Sequence, residues 1–230
     1  MVDSSKLLSN EELMQLSKSG PIKWVNFILF TLMWLSGIYL NLYLIKLDSS
    51  FLRNALLGIG CFIIATALNA FFLILHEGCH GLIFRNKFIN RVISNLFSFP
   101  YFMSFNAYRT IHLTHHNHLG TDQDPDNYNS FTGNPKVVLI LQLVRLTCAA
   151  FLYLFTIPVI SWKLQNQAER KEMLQEYLTL TILTLILLYF VPIQLLIVTV
   201  FLPLIPLNFY VNIRGLTQHT VTESMDPLLA

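Results

Sequence analysis

Hydrophobic positions in this chain do not alternate with polar ones; they run together in long blocks. Apolar residues fill Trp24–Ile45 and Phe51–Leu75 almost without interruption. At about 1.5 Å of rise per residue, each block exceeds a hydrocarbon core of about 30 Å, so each predicts a membrane-crossing helix. The second block ends directly in His76, and from there to Thr132 polar and apolar positions mix, with an amphipathic stretch at Phe88–Phe105. Two more apolar stretches follow, Val137–Trp162 and Met173–Val211. The last is far too long for one crossing. It carries Pro192 near its middle, where a missing N–H and a ring clash favour a break. It reads as two short spans, Met173–Val191 and Ile193–Val211, joined by a tight turn.

Parity then decides the role of Val137–Trp162. If His76, His112 and His219 share a site they face one side, and a Met173–Val211 hairpin returns the chain to the side it left. Val137–Trp162 must then not cross, and Gln142 and Arg145 at its centre suit a helix lying in the interface or buried against the protein. Four spans result, with both termini on one side. Under this arrangement only Lys46 and Arg53 of the fifteen basic residues lie on the far side. The positive-inside rule therefore puts the histidines, and both termini, on the cytoplasmic face.

Composition agrees with a membrane class: 54% of residues are hydrophobic and 12% charged, where a soluble domain has about a quarter charged. A net charge of +2 is too small to suggest a nucleic-acid partner. Cys61, Cys79 and Cys148 form no C-x-x-C pair, so neither a disulfide framework nor a zinc ribbon is supported. The polar start, residues 1–23, precedes the first apolar run and does not read as a cleaved signal peptide.

All seven histidines fall in three places: His76 and His80 in HEGCH, His112, His115, His116 and His118 in HLTHHNH, and His219 in RGLTQH. Residues three and four apart share a helix face, so His76 with His80, and His112 with His115 and His116, form two converging sets. His118 lies about 240° round the helix from His112 and suits a supporting or surface role. Five converging imidazoles exceed the needs of one tetrahedral zinc. They suit two metal ions, and nitrogen-rich sites with open positions suit iron and oxygen chemistry. HEGCH also matches H-E-x-x-H, in which Glu77 would be the general base of an intramembrane zinc protease, but that leaves HLTHH without a role. In the two-metal reading Glu77 orients a ligand imidazole. The acidic turn GTDQDPD offers carboxylates to the free ring nitrogens, with Asp122 and Asp126 preferred and Asp124 evenly balanced against a plain turn role.

The motifs HEGCHG at 76–81, YRTIHLTHHNHLGTDQDPD at 108–126 and NIRGLTQHTVTESMDPLLA at 212–230 resemble the membrane fatty acid desaturases. Carotenoid hydroxylases and ketolases share the wider superfamily. The resemblance implies an all-α membrane protein, with four transmembrane helices in two hairpins and a cytoplasmic helical cap carrying the histidine boxes. The desaturase-like domain would occupy residues 24–230. It further implies two non-haem irons, dioxygen as co-substrate, a lipid acyl substrate, and metal ligands at His76, His80, His112, His115, His116 and His219. No histidine pair remains for a fused haem domain and there is no cysteine cluster, so electrons are expected from a separate ferredoxin or a cytochrome of the b5 type. The family pattern continues with a third His-x-x-His-His box that residues 1–230 do not contain. A C-terminal truncation is expected, and with it an incomplete metal cage or an inactive remnant as the alternative.

Overall fold

The computed structural model describes residues 21–119, 121–125, 127 and 132–220, and among these every regular element is helical. In chain order they are α1 (Pro21–Leu44), α2 (Phe51–Cys79), α3 (Lys87–Ser98) with a 3-10 turn at Phe99–Tyr101, and α4 (Phe105–His118). There follow α5 (Pro135–Leu164), α6 (Gln167–Phe190), α7 (Ile193–Leu196) with a π-helical turn at Ile197–Phe201, and α8 (Leu204–Thr220). Residues 1–20 of the expected N-terminal segment lie outside the described residues.

Among the described residues, four helical stretches are long and apolar enough to cross a membrane: Val25–Leu44, Phe51–Cys79, Gln167–Phe190 and Ile193–Ile213. They correspond to the four expected blocks, with two differences of extent. The helix of the second block does not stop at Leu75 but runs to Cys79, so the first histidine box rides on the last turn of the span itself. The third begins at Gln167 rather than Met173, because Asn166 and Glu169 close a capping box that starts the helix in polar sequence. The break at Pro192 falls where expected, between the end of α6 at Phe190 and Ile193.

Burial separates inner from outer helices. About the same share, 39%, of the apolar windows of α2 and of the α7–α8 stretch is buried, against 17% for α1 and 11% for α6. Leu29, Leu32 and Leu35 on α1 and Leu178, Leu185 and Tyr189 on α6 are exposed, as lipid-facing side chains are. Lipid tails are as apolar as these side chains, so close packing and internal hydrogen bonds, rather than apolar burial, hold such helices together. The packing centres on α2, whose Ile64, Leu68, Phe71 and Leu75 meet Phe97 of α3, Phe105 and Ala107 of α4, Ile157 of α5 and Leu207 of α8. Phe27, Phe71 and Phe97 interlock there with ring centroids 5.3–6.5 Å apart. The 30-residue α5 continues through Pro158 and packs against α4 and α8.

Candidate metal centre

Helical phase brings the first two boxes together. His76 stands on the last turn of α2 and His80 at its C-cap. His112 and His116 share one face of α4, which packs against α2. These four imidazoles each offer a ring nitrogen within 4.8 Å of the others. His80 Nε2 and His112 Nε2 are 2.9 Å apart, and the ring centroids of His76–His112 and His112–His116 are 4.3 and 4.5 Å apart.

The electrostatics suit a metal better than protons. Burial, and then the neighbouring imidazoles of His76, His116, His80 and His115, push the His112 pKa down to about 2. Burial, followed by the Arg109 charge, lowers that of His80. An imidazole that resists protonation keeps a lone pair for a ligand bond. Four neutral nitrogens so close together can hold a metal ion, and the donor set is one that suits iron, copper or zinc.

His115 is not in this group. Adjacent residues on a helix lie about 100° apart, so His115 and His116 cannot both face the first box. His115 is instead buried against the turn after α4, where its Nδ1–H donates to Asp124 Oδ1 at 2.7 Å. With Nδ1 engaged by that carboxylate, Nε2 is the ring nitrogen left to serve as a ligand atom. Of the two described carboxylates in this turn, Asp124 rather than the preferred Asp122 engages a box histidine. Three successive turns explain the choice: Thr121 N–H donates to His118 O, Asp124 N–H to Thr121 O and Asn127 N–H to Asp124 O. They curl position 124 back onto α4 and leave Asp122 exposed. Asp126 lies outside the described residues. His118 is half-buried and outside the four-nitrogen group, its carbonyl anchoring the turn by accepting from Thr121 Oγ1 at 2.7 Å. Glu77 lies on α2 between His76 and His80 and is not one of the four donors. His219 lies on α8, its side chain outside the described residues.

A set of polar contacts that the sequence reading missed fixes α4 in place. At its N-terminus, Ser104 Oγ accepts from Ala107 N–H and donates to Glu176 of α6 at 2.6 Å. Glu176 also accepts from Asn106 N–H at 2.9 Å and Asn95 Nδ2 at 3.1 Å, so a carboxylate from another helix caps α4 where the dipole favours an anion. One turn away, Glu172 takes both arms of Arg91, at 3.1 and 2.7 Å, and Asn106 Nδ2 at 2.9 Å. Further along α4, Arg109 Nε donates to the carbonyl of Cys79 at 3.1 Å, satisfying a group at the end of α2 that has no helical partner. On the other flank of the first box, Asn90 Nδ2 donates to Gly78 O while its Oδ1 accepts from Ile83 and Phe84 N–H. α3 approaches so closely here that a Cβ on Gly78 would run into Ser94 Oγ. The only sequence hint of this arrangement was Glu172 and Glu176 four apart at the mouth of an apolar helix.

The profile of the fatty acid desaturase family matches residues 53–227. The chain belongs to that family. The match takes in all seven histidines, so the four-nitrogen cluster of this desaturase-family chain is built from two of its three histidine-bearing motifs. No curated protein matches the chain.

Proposed function

We propose that the chain forms the membrane part of a non-haem di-iron enzyme that uses dioxygen to introduce a double bond into a lipid acyl chain. The observation that carries this reading is the convergence of His76, His80, His112 and His116 from two separate boxes, within a chain of the desaturase family. A zinc protease built on HEGCH alone would give His112 and His116 no reason to complete the site.

Four nitrogens this close serve one ion. For a second, His115 would offer Nε2, with Asp124 holding its ring, and His219 would add a further imidazole. Glu77 would orient one of the α2 ligands. Iron with dioxygen would supply an oxidant strong enough to take hydrogen from an unactivated methylene. The protein's own task is binding and orientation. A cavity of about 110 Å³ lies among α2, α5, α8 and the Phe99–Tyr101 turn, lined by Phe72, Tyr101, Met103, Phe201, Leu204 and Leu207 among others. Phe72 is one helical turn before His76 on α2, so an acyl chain held there would lie beside the cluster and away from water.

In this reading the spans form two hairpins, the histidines and both termini face the cytoplasm, and a separate ferredoxin or cytochrome of the b5 type delivers electrons at that face. The test is expression of residues 1–230 together with a third His-x-x-His-His box in a host of known lipid composition, followed by mass spectrometry of its fatty acids. The expected result is a new unsaturated acyl species that is absent when His112→Ala replaces the wild type. Hydroxylated lipids without new double bonds, or peptide cleavage that depends on zinc, would replace this reading with another.

A further inference from the structure

The deepest polar side chain among the spans is not near the histidines. Asn41 of α1 is fully buried, and its Nδ2–H donates to the carbonyl of Val198 at 2.7 Å, with Cys61 Sγ 3.5 Å from the same nitrogen. Cys61 Sγ lies 3.8 Å from that carbonyl as well. An amide inside a membrane helix is costly unless it is bonded, and such residues mark sites that matter. Space has been kept for it: a Cβ on Gly60 of α2 would run into Asn41 Oδ1. Three spans therefore converge on the Val198 carbonyl.

The carbonyl at the centre of this arrangement needs an outside donor for a reason legible in the chain. Ile197–Phe201 is a π-helical turn, in which Leu202 N–H reaches back to Ile197 O at 2.8 Å. Leu202 is the residue that would bond Val198 O in an α-helix. The residue that would bond it in a π-helix is Pro203, which has no N–H. With Leu202 N–H taken by Ile197 O and Pro203 without an N–H, the turn as formed gives Val198 O neither ladder bond, and the Asn41 amide, with the Cys61 thiol beside it, supplies the donor. A wide turn of this kind re-aims the side chains around it, and such turns gather at functional sites. Here Phe201 and Leu204, on either side of Leu202–Pro203, both line the apolar cavity next to Phe72.

We propose that Asn41 is a positioning residue for that cavity: by holding the wide turn of the fourth span, its amide sets where Phe201 and Leu204 stand and so which acyl chains fit. This rests on the acyl-cavity reading given above. It assigns a role in specificity to a residue on α1, a helix that contributes nothing to the four-nitrogen cluster or to the named cavity wall.

Two measurements on the purified full chain in detergent test it. The first is thermal unfolding of wild type, Asn41→Leu, Pro203→Ala and the double variant. Leucine fills the asparagine's space without a donor. Pro203→Ala restores an N–H that lets an ordinary ladder satisfy the backbone. Asn41→Leu should therefore lower the melting temperature when Pro203 is present, and much less when it is combined with Pro203→Ala. An equal penalty in both would show that Asn41 only fills space, and would overturn the proposal. The second is displacement of a fluorescent fatty acid by saturated acyl chains of increasing length. Asn41→Leu should change the best-bound length or weaken it about tenfold, the effect of one buried hydrogen bond. Coupling to Pro203 with an unchanged length preference would overturn the link to the cavity. Absence of binding by the wild type at every length would instead defeat the acyl reading beneath it. That outcome is distinguishable, because the melting comparison needs no acyl ligand.

Discussion

His112 sits half-buried among other imidazoles, its pKa pushed down to about 2, and it is the centre of the four-nitrogen group. Replacing it with alanine should remove at least about nine-tenths of the iron the protein binds, by elemental analysis after anaerobic loading, the loss expected when a ligand itself is taken away. His118→Ala should leave iron unchanged, because that ring lies off the shared face, whereas His115→Ala should lower it. Asp124→Asn should weaken iron binding by about 10–100-fold, the usual effect of losing the carboxylate behind a ligand imidazole, while Asp122→Asn should do nothing. Spacing alone made the pairs four apart legible, since that is a property of any helix. It could not separate His115 from His116, because only the docking of α4 onto α2 decides which neighbour faces the first box. Nor could it choose between Asp122 and Asp124, where the backbone's path picks Asp124.

Elements were legible where a block of apolar residues was bounded by a cap or a proline. Pro192 marked the break between the last two spans, and Ser50 and Asn134 start α2 and α5 with side-chain bonds to Arg53 and Lys136 N–H. What holds α4 was not legible, since its partners Glu172 and Glu176 are distant in sequence and look like an ordinary polar helix start. Glu176 is 13% exposed as a side chain, against 43% for Glu172 and 40% for Arg91, so the two carboxylates should differ in weight. Glu176→Ala should destabilise the fold by about 1–3 kcal/mol, leaving the buried Ser104 hydroxyl and the half-buried donors of Asn106 and Asn95 unanswered. Arg91→Ala should cost about 1 kcal/mol or less, as exposed ion pairs do. Thermal unfolding in detergent distinguishes them, and metal content should fall with Glu176→Ala because α4 carries half of the four-nitrogen group.

For the whole molecule, the apolar blocks told the class and the four long apolar helices found among the described residues, while the π-helical turn and its anchor at Asn41 escaped notice because they arise from contact between distant spans. The proposed topology makes one sharp demand: Asp48 lies on the opposite face from His76 and His219. Cysteine substitutions at positions 48 and 219, labelled by a membrane-impermeant reagent from one side and then both, should react from different sides, and reaction from the same side would exclude the four-span arrangement. The account as a whole stands on the histidines being a metal centre assembled from two boxes. Metal analysis of the purified protein, loaded anaerobically with ferrous iron and compared with His76→Ala and His112→Ala, tests that most directly. The account predicts bound iron that either substitution alone removes, because α2 and α4 each supply half of the cluster. Iron retained by both variants, or bound zinc lost with His76→Ala but not with His112→Ala, would contradict it.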